Sequence, residues 1–139
     1  MKLVIDANIL FAALIKEGLT AELLISDKLQ LFAPEFLFTE FAKYEKLILK
    51  KTYRSHKEFY QLLDLLKEQI TIIPKKEIIP FIDKARKISP DPKDTVYLAL
   101  AFLLDSNIWS NDKRLKQSQQ KITVFPIEEL IKKTNLLKS

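Results

Sequence analysis

The sequence predicts an α/β fold in which a mostly parallel sheet of four to five strands is covered by helices. Short apolar runs of strand length alternate along the chain with longer segments of helical periodicity, which is typical of βαβ units. The first run, at 2–5, is apolar on both faces, as a parallel strand covered on both sides must be. We therefore expect this strand to lie in the centre of the sheet.

Turn and cap residues divide the rest of the N-terminal half into elements. Gly18 ends a first short helix, and Thr20 is placed to cap a second one. Pro34 ends the second strand and Pro74 ends the third. The predicted elements are helices over 8–15 and 20–27, a strand over 30–33, one long amphipathic helix over 35–50, a helix over 55–68 and a strand over 70–73.

Prolines also shape the C-terminal half. Pro80 lies near the first turn of a helix predicted over 77–88. Pro90 and Pro92 force a loop, after which an almost wholly apolar helix begins with proline at its first position and runs through Leu104. The remaining predicted elements are a strand over 108–109, a helical turn over 112–115, a strand over 123–125 and a helix over 127–133.

Composition excludes several kinds of site. The 139 residues suit one domain spanning 1–139, with 47% hydrophobic residues to form its core. The chain has no Cys and a single His, which excludes Cys-ligated zinc, thiol catalysis and HExxH zinc sites. It has a single Gly, so neither GxGxxG nor a GxxxxGK[ST] phosphate loop is present.

Charge and hydropathy indicate the surroundings of the protein. The net charge of +5 favours a polyanionic partner such as nucleic acid, although solubility alone would also explain it. No apolar stretch approaches the length of a membrane span or of a signal sequence. We expect a cytoplasmic protein with no membrane partner.

Four carboxylates occupy positions that favour a shared site. Asp6 follows the first strand and Asp112 follows the strand over 108–109. Glu40 falls within the apolar arc of the helix over 35–50, and Asp94 shares the inward face of the apolar helix. Side chains at the carboxyl ends of parallel strands meet at one edge of the sheet, so these acids can converge on one cation. The alternative is that each caps its own helix, which is the role we expect for Asp91.

Oxygen ligands without His or Cys suit hard cations, so the expected metal is Mg²⁺ or Mn²⁺. Such ions polarise phosphate groups and lower the pKa of bound water. The chemistry that follows from this ligand set is hydrolysis of phosphodiester bonds.

The order of these motifs resembles the PIN-domain nucleases over almost the whole chain. The matching pieces are the stretch 4–10 with its Asp and Asn, then Glu40, then Asp91-Pro92-Lys93-Asp94, then Ser110-Asn111-Asp112-Lys113. The resemblance implies a three-layer α/β/α sandwich that holds Mg²⁺ or Mn²⁺ at one end and cleaves single-stranded RNA.

The resemblance also assigns roles to individual residues. It makes the quartet of Asp6, Glu40, Asp94 and Asp112 the metal-binding and catalytic acids. Asn8 and Ser110 match the polar residues that orient the first and last acids. Asp91 matches no family position and is interpreted as a cap or an outer-shell acid. In addition to these, Lys113 and Arg114 are candidate contacts to substrate phosphates.

The leading hypothesis is a metal-dependent endoribonuclease, expected as a homodimer. Many members of the family are VapC-type toxins with a cognate antitoxin, whose last motif often reads Thr-Arg-Asn; the motif here is Ser110-Asn111-Asp112, so stand-alone members are at least as close. One alternative is a catalytically idle RNA-binding or partner-binding PIN-like domain. Another is an aspartyl-phosphate phosphotransfer or receiver domain, although Asn8 stands where the former would carry a second acid.

Overall fold

A five-stranded, all-parallel sheet forms the centre of the molecule, whose computed structural model describes residues 1–15 and 18–135. The α/β class predicted from the sequence is therefore confirmed. The strands are β1 (Lys2–Ile5), β2 (Gln30–Pro34), β3 (Ile70–Ile73), β4 (Asn107–Trp109) and β5 (Val124–Phe125).

The strand order is β3-β2-β1-β4-β5, which places β1 in the middle of the sheet as predicted. The chain reaches one edge through β2 and β3 and then crosses to the other side of β1 to form β4 and β5. In open α/β sheets, ligands bind at the carboxyl ends of the strands where the order reverses, which here is between β1 and β4. The order also differs from the 2-1-3-4-5 order of receiver domains.

Helices connect the strands and cover the sheet. The residues Leu3, Val4 and Ile5 are all completely buried, so both faces of β1 are covered. The helices are α1 (Ala7–Ile15), α2 (Leu19–Leu24), α3 (Phe36–Ala42), α4 (Glu45–Thr52), α5 (His56–Gln69), α6 (Lys75–Ile78), α7 (Ile82–Arg86), α8 (Thr95–Leu104), α9 (Lys113–Ser118) and α10 (Ile127–Thr134), with 3₁₀ turns at Ile79–Phe81 and Pro92–Asp94. Within the described ranges, no helix is both long and apolar enough to cross a membrane.

The long helix predicted over 35–50 is two helices, because the chain bends between α3 and α4 at Tyr44. Phe41 at the end of α3 stacks on Phe11 and Phe59 with ring centroids 5.2 and 5.8 Å away. After the bend, α4 buries Ile48 in the same core. Tertiary packing of aromatic rings thus overrides a helical periodicity that runs without interruption through the sequence.

Two other helix predictions are corrected by local backbone chemistry. Pro80 interrupts the helix predicted over 77–88, and the chain forms α6, a 3₁₀ turn and α7, since proline lacks an N–H and restricts the residue before it. Thr20 does not cap α2: the helix begins at Leu19, and Gly18 occupies the cap position without a side-chain hydrogen bond.

Candidate functional site

A cleft of about 390 Å³ lies beyond the carboxyl ends of β1 and β4. Its walls include all four acids of the predicted quartet and Asp91, contributed by separate segments of the chain. The other walls are mainly apolar and aromatic. They include Phe11 of α1 and Leu47 of α4, beside the bend between α3 and α4.

Asp6 is half-buried at the end of β1 and is bound on two sides. Its Oδ1 accepts a hydrogen bond from the backbone N–H of Ile9 at 3.2 Å, so the side chain caps α1. The hydroxyl of Ser110 also donates to this carboxylate. Burial raises the pKa of Asp6 to about 6 and the charge of Asp112 adds to the increase, while these two hydrogen bonds and one from the backbone of Asn8 oppose it.

Ser110 connects the first and last acids of the quartet. The residue is 2% exposed, and its Oγ accepts a hydrogen bond from the backbone N–H of Asp112 at 3.1 Å. Oδ1 of Asp112 accepts in turn from the backbone N–H groups of Arg114 and Leu115 at 2.9 and 3.1 Å. Asp112 is therefore the cap of α9 and at the same time part of the cleft wall.

Asp91 and Asp94 have different roles: Asp91 is a cap, and Asp94 is not. Oδ1 of Asp91 accepts from the backbone N–H of Lys93 at 2.9 Å and caps the 3₁₀ turn, as expected from the sequence. Asp94 stands at the start of α8 but forms no side-chain cap, and it lines the cleft half-buried. Its pKa is raised to about 6 by burial first and then by the charges of Asp112, Asp91 and Asp6, while Arg114 lowers it.

Glu40 is half-buried on α3, beside a tyrosine of α8. The hydroxyl of Tyr97 donates a hydrogen bond to Oε2 of Glu40 at 3.5 Å. Burial and the neighbouring charge of Glu40 raise the pKa of Tyr97 well above its ordinary value, so the hydroxyl keeps its proton and remains a donor. Reasoning from the sequence missed this contact; the only signal for it is that Tyr97 follows Asp94 by three residues on one helical face.

The cationic side chains near the cleft differ in their surroundings. Lys93 is exposed and lines the cleft, and Lys113 is exposed at the first position of α9. The guanidinium of Arg114 donates to the backbone carbonyl of Pro90 at 2.9 Å, which ties α9 to the loop that carries Asp91. Asn8 is an exposed residue of the cleft wall.

The donor atoms of the cleft are of the kind that a hard divalent cation prefers. In the part of the chain that the structure describes, no three acidic or histidine side chains form a ready-made metal-ligand group. The available donors are nevertheless all oxygen atoms, which Mg²⁺ and Mn²⁺ prefer. Asp6 and Asp94 have their pKa raised by burial and by the charges of neighbouring acids, and a bound cation relieves both effects.

Comparisons with known proteins agree with this architecture. The PIN domain family matches residues 4–125. Among solved structures, a chain from a toxin-antitoxin complex of Klebsiella pneumoniae superposes with a TM-score of 0.64 at 15% sequence identity, over 87% of this chain and 95% of that chain. No curated protein matches the sequence. At this level of identity, the structural likeness concerns the fold alone.

Proposed function

This chain belongs to the PIN domain family, and we propose that it is a metal-dependent endoribonuclease that hydrolyses phosphodiester bonds of single-stranded RNA. The observation that carries the proposal is that the acids of the quartet, from separate elements of the fold, line one cleft. Asp6, Glu40 and Asp94 are half-buried and Asp112 is exposed, and half-buried charges of one sign destabilise a folded protein unless a counter-ion is bound. The arrangement therefore supports a role in cation binding in addition to the helix caps that Asp6 and Asp112 form.

We assign the quartet of Asp6, Glu40, Asp94 and Asp112 to the binding of Mg²⁺ or Mn²⁺. When bound, such a cation polarises the scissile phosphate and lowers the pKa of the attacking water. Ser110 orients two of these acids at once, since it donates to Asp6 and accepts from the backbone of Asp112.

The remaining residues of the cleft support the quartet. Tyr97 orients Glu40 by its hydrogen bond, and Asn8 and Asp91 lie at the cleft wall as supporting polar and outer-shell groups. Lys93, Lys113 and Arg114 are our candidates for contacts to substrate phosphates, and the bond of Arg114 to Pro90 would hold it beside Asp94.

Partners and context belong to the same proposal. The solved neighbour comes from a toxin-antitoxin complex, which supports a cognate antitoxin as a protein partner of this chain. We further propose that residues 1–139 form one domain, that the protein is a cytoplasmic homodimer and that RNA is its substrate. A catalytically idle RNA-binding or partner-binding domain is the second candidate, favoured by the lack of a ready-made ligand group among the described residues.

The test is Mn²⁺-dependent cleavage of a single-stranded RNA by Asp94→Asn and Asp6→Asn. Each variant keeps the shape of the side chain and removes its charge. We expect the rate to fall by more than the roughly 10- to 100-fold that loss of an outer-shell partner causes at metal sites. Asp64→Asn is the matched control, because Asp64 is an exposed acid of α5 outside the cleft.

Full cleavage by either variant would contradict the assignment of the acids. A wild-type chain that binds RNA but cleaves none with Mg²⁺ or Mn²⁺ would favour the idle domain.

A further inference from the structure

A second cavity, of about 660 Å³, adjoins the acidic cleft. We propose that it binds the nucleobase of a nucleotide that flanks the scissile phosphate of single-stranded RNA. The inference rests on the proposed function and names part of its substrate site. Glu40 and Lys93 line both cavities, so a chain that passes the acids reaches the second cavity directly.

One wall of this cavity is an aromatic side chain that packs against a second ring. Phe36 at the start of α3 is 36% exposed, although phenylalanine is normally buried. Its ring centroid lies 5.5 Å from that of Tyr97, whose hydroxyl bonds to Glu40. Phe36 therefore belongs to one packed group with an acid of the cleft, and it presents ring surface to the cavity.

The other walls are suited to a flat, apolar-faced ring. They are largely apolar, and the hydroxyl of Thr39 offers a polar contact. Bases stack on aromatic side chains without strong sequence preference, since every base has a π-face. The apolar members of the wall besides Phe36 are Pro34, Ile78, Pro92 and Val96.

Two lysines at the rim are placed to contact the phosphates of a nucleotide. Lys75 and Lys93 line the cavity and are exposed. Ion pairs among the described residues join His56 to Glu45, Arg86 to Asp83 and Lys116 to Glu129, and neither lysine of the rim takes part in one. Glu40 and Glu35 also line the cavity, and Glu35 accepts a hydrogen bond from the backbone N–H of Lys75 at 3.0 Å.

The position of Lys93 connects the two parts of the site. It lies on both cavities, so its ammonium group can bind the phosphate that joins a nucleotide in the cavity to the bond at the acids. The base then stacks on Phe36, the adjoining phosphate contacts Lys93, and the scissile phosphate lies at the acidic cleft.

The experiment measures affinity for short single-stranded RNAs in which one nucleotide at a time is replaced by an abasic residue. Binding is measured with Mg²⁺ present, in the Asp94→Asn background so that the RNA stays intact. Phe36→Leu removes the ring and keeps an apolar side chain. Phe38→Leu is the matched control, because Phe38 lies on the same helix and lines neither cavity.

We expect Phe36→Leu to weaken RNA binding by roughly tenfold, within the range known for single stacked bases, and Phe38→Leu to leave it unchanged. At one position of the RNA, an abasic residue should weaken binding to the protein that retains Phe36 by a similar factor. The same abasic residue should not weaken binding to Phe36→Leu any further. In the protein with an intact quartet, the cleaved phosphodiester bond should lie next to that position of the RNA.

Two results would overturn the inference. One is equal RNA affinity in Phe36→Leu and Phe38→Leu, which is also the outcome if the cavity serves a protein partner. The other is the same loss at every abasic position in both chains. The proposed nuclease function is tested separately by the quartet variants, so active cleavage together with either result would reject the base pocket alone.

Discussion

Asp6 and Asp94 lie in surroundings that favour their protonated forms. Each is half-buried and each is close to other acids of the cleft. In a chain without bound metal, their ionisation at neutral pH opposes folding. This is the expected state of a site whose charges are arranged for a ligand rather than for stability.

Substitution of Asp6 by Asn should therefore stabilise the metal-free protein. The pKa of Asp6 rises from 3.8 to about 6 on folding, so the folded chain binds more protons between these pH values. The free energy of unfolding decreases as pH rises through this window and stays lower above about pH 6. At pH 7.5, urea unfolding of Asp6→Asn should show a gain of about 1–3 kcal/mol, since one pKa unit corresponds to about 1.4 kcal/mol.

The amide of the new side chain can still cap α1, because its oxygen can accept from Ile9 as the carboxylate does. Asp6→Ala is the control that loses both the charge and the cap. A wild-type chain that is more stable than Asp6→Asn at pH 7.5, or a difference that does not shrink at pH 4, would contradict this account of Asp6.

Helix α5 begins with a side-chain cap at Ser55. Oγ of Ser55 accepts from the backbone N–H of Glu58 at 3.1 Å, and Oε1 of Glu58 accepts from the backbone N–H of Ser55 at 3.2 Å. This reciprocal pair is a capping box, which satisfies two otherwise unpaired donors. The helix it starts packs Phe59 and Leu63 into the core.

Ser55→Ala should lower the free energy of unfolding by about 1 kcal/mol, the usual effect of removing such a cap. RNA cleavage below the melting temperature should be unchanged, since α5 does not line the cleft. Ser118→Ala, which alters a hydroxyl bonded to the carbonyl of Leu115 rather than a cap acceptor, should change stability by less than about 0.5 kcal/mol. Equal stability of wild type and Ser55→Ala would show that the cap is not needed.

Elements bounded by turn residues could be predicted from the sequence, and those bounded by tertiary packing could not. β1 and β3 lie where expected because polar residues and Pro74 delimit them. The bend between α3 and α4 was missed because it depends on Phe11 and Phe41, which are distant in sequence and meet only in the folded core.

In the site, too, some features could be predicted from local sequence and others depend on tertiary packing. Asp6 and Asp112 could be placed together because each follows a central strand, and the neighbours β1 and β4 bring them to one edge. The contact of Tyr97 with Glu40 and the cavity beside Phe36 depend on how α3 lies against α8, which no local pattern encodes. Whether the acids bind metal stays a prediction.

For the whole molecule, the net charge of +5 acts together with a cleft of opposite sign. RNA is attracted to the chain as a whole, and the acids repel its phosphates unless a cation is bound. Divalent metal should therefore be required for tight binding as well as for cleavage. Binding of the divalent metal and binding of RNA are then coupled.

RNA affinity should fall steeply with KCl concentration, with a slope of roughly −0.7 in the log–log plot for each phosphate contact. Lys113→Gln should reduce the magnitude of this slope by about the amount that one phosphate contact contributes, if the residue binds a phosphate. Lys57→Gln is the control, because Lys57 is exposed on α5 and lines neither cavity. A slope that is unchanged in Lys113→Gln would remove this residue from the interface.

Calorimetric titration of Mn²⁺ into the metal-free protein at pH 7.5 measures whether the cleft binds a divalent cation, without any need for an RNA target. We expect saturable binding that weakens by about tenfold or more in Asp6→Asn, Glu40→Gln, Asp94→Asn and Asp112→Asn, and we expect Asp64→Asn to bind like wild type. Equal Mn²⁺ affinity in wild type and in all four cleft variants would contradict this expectation.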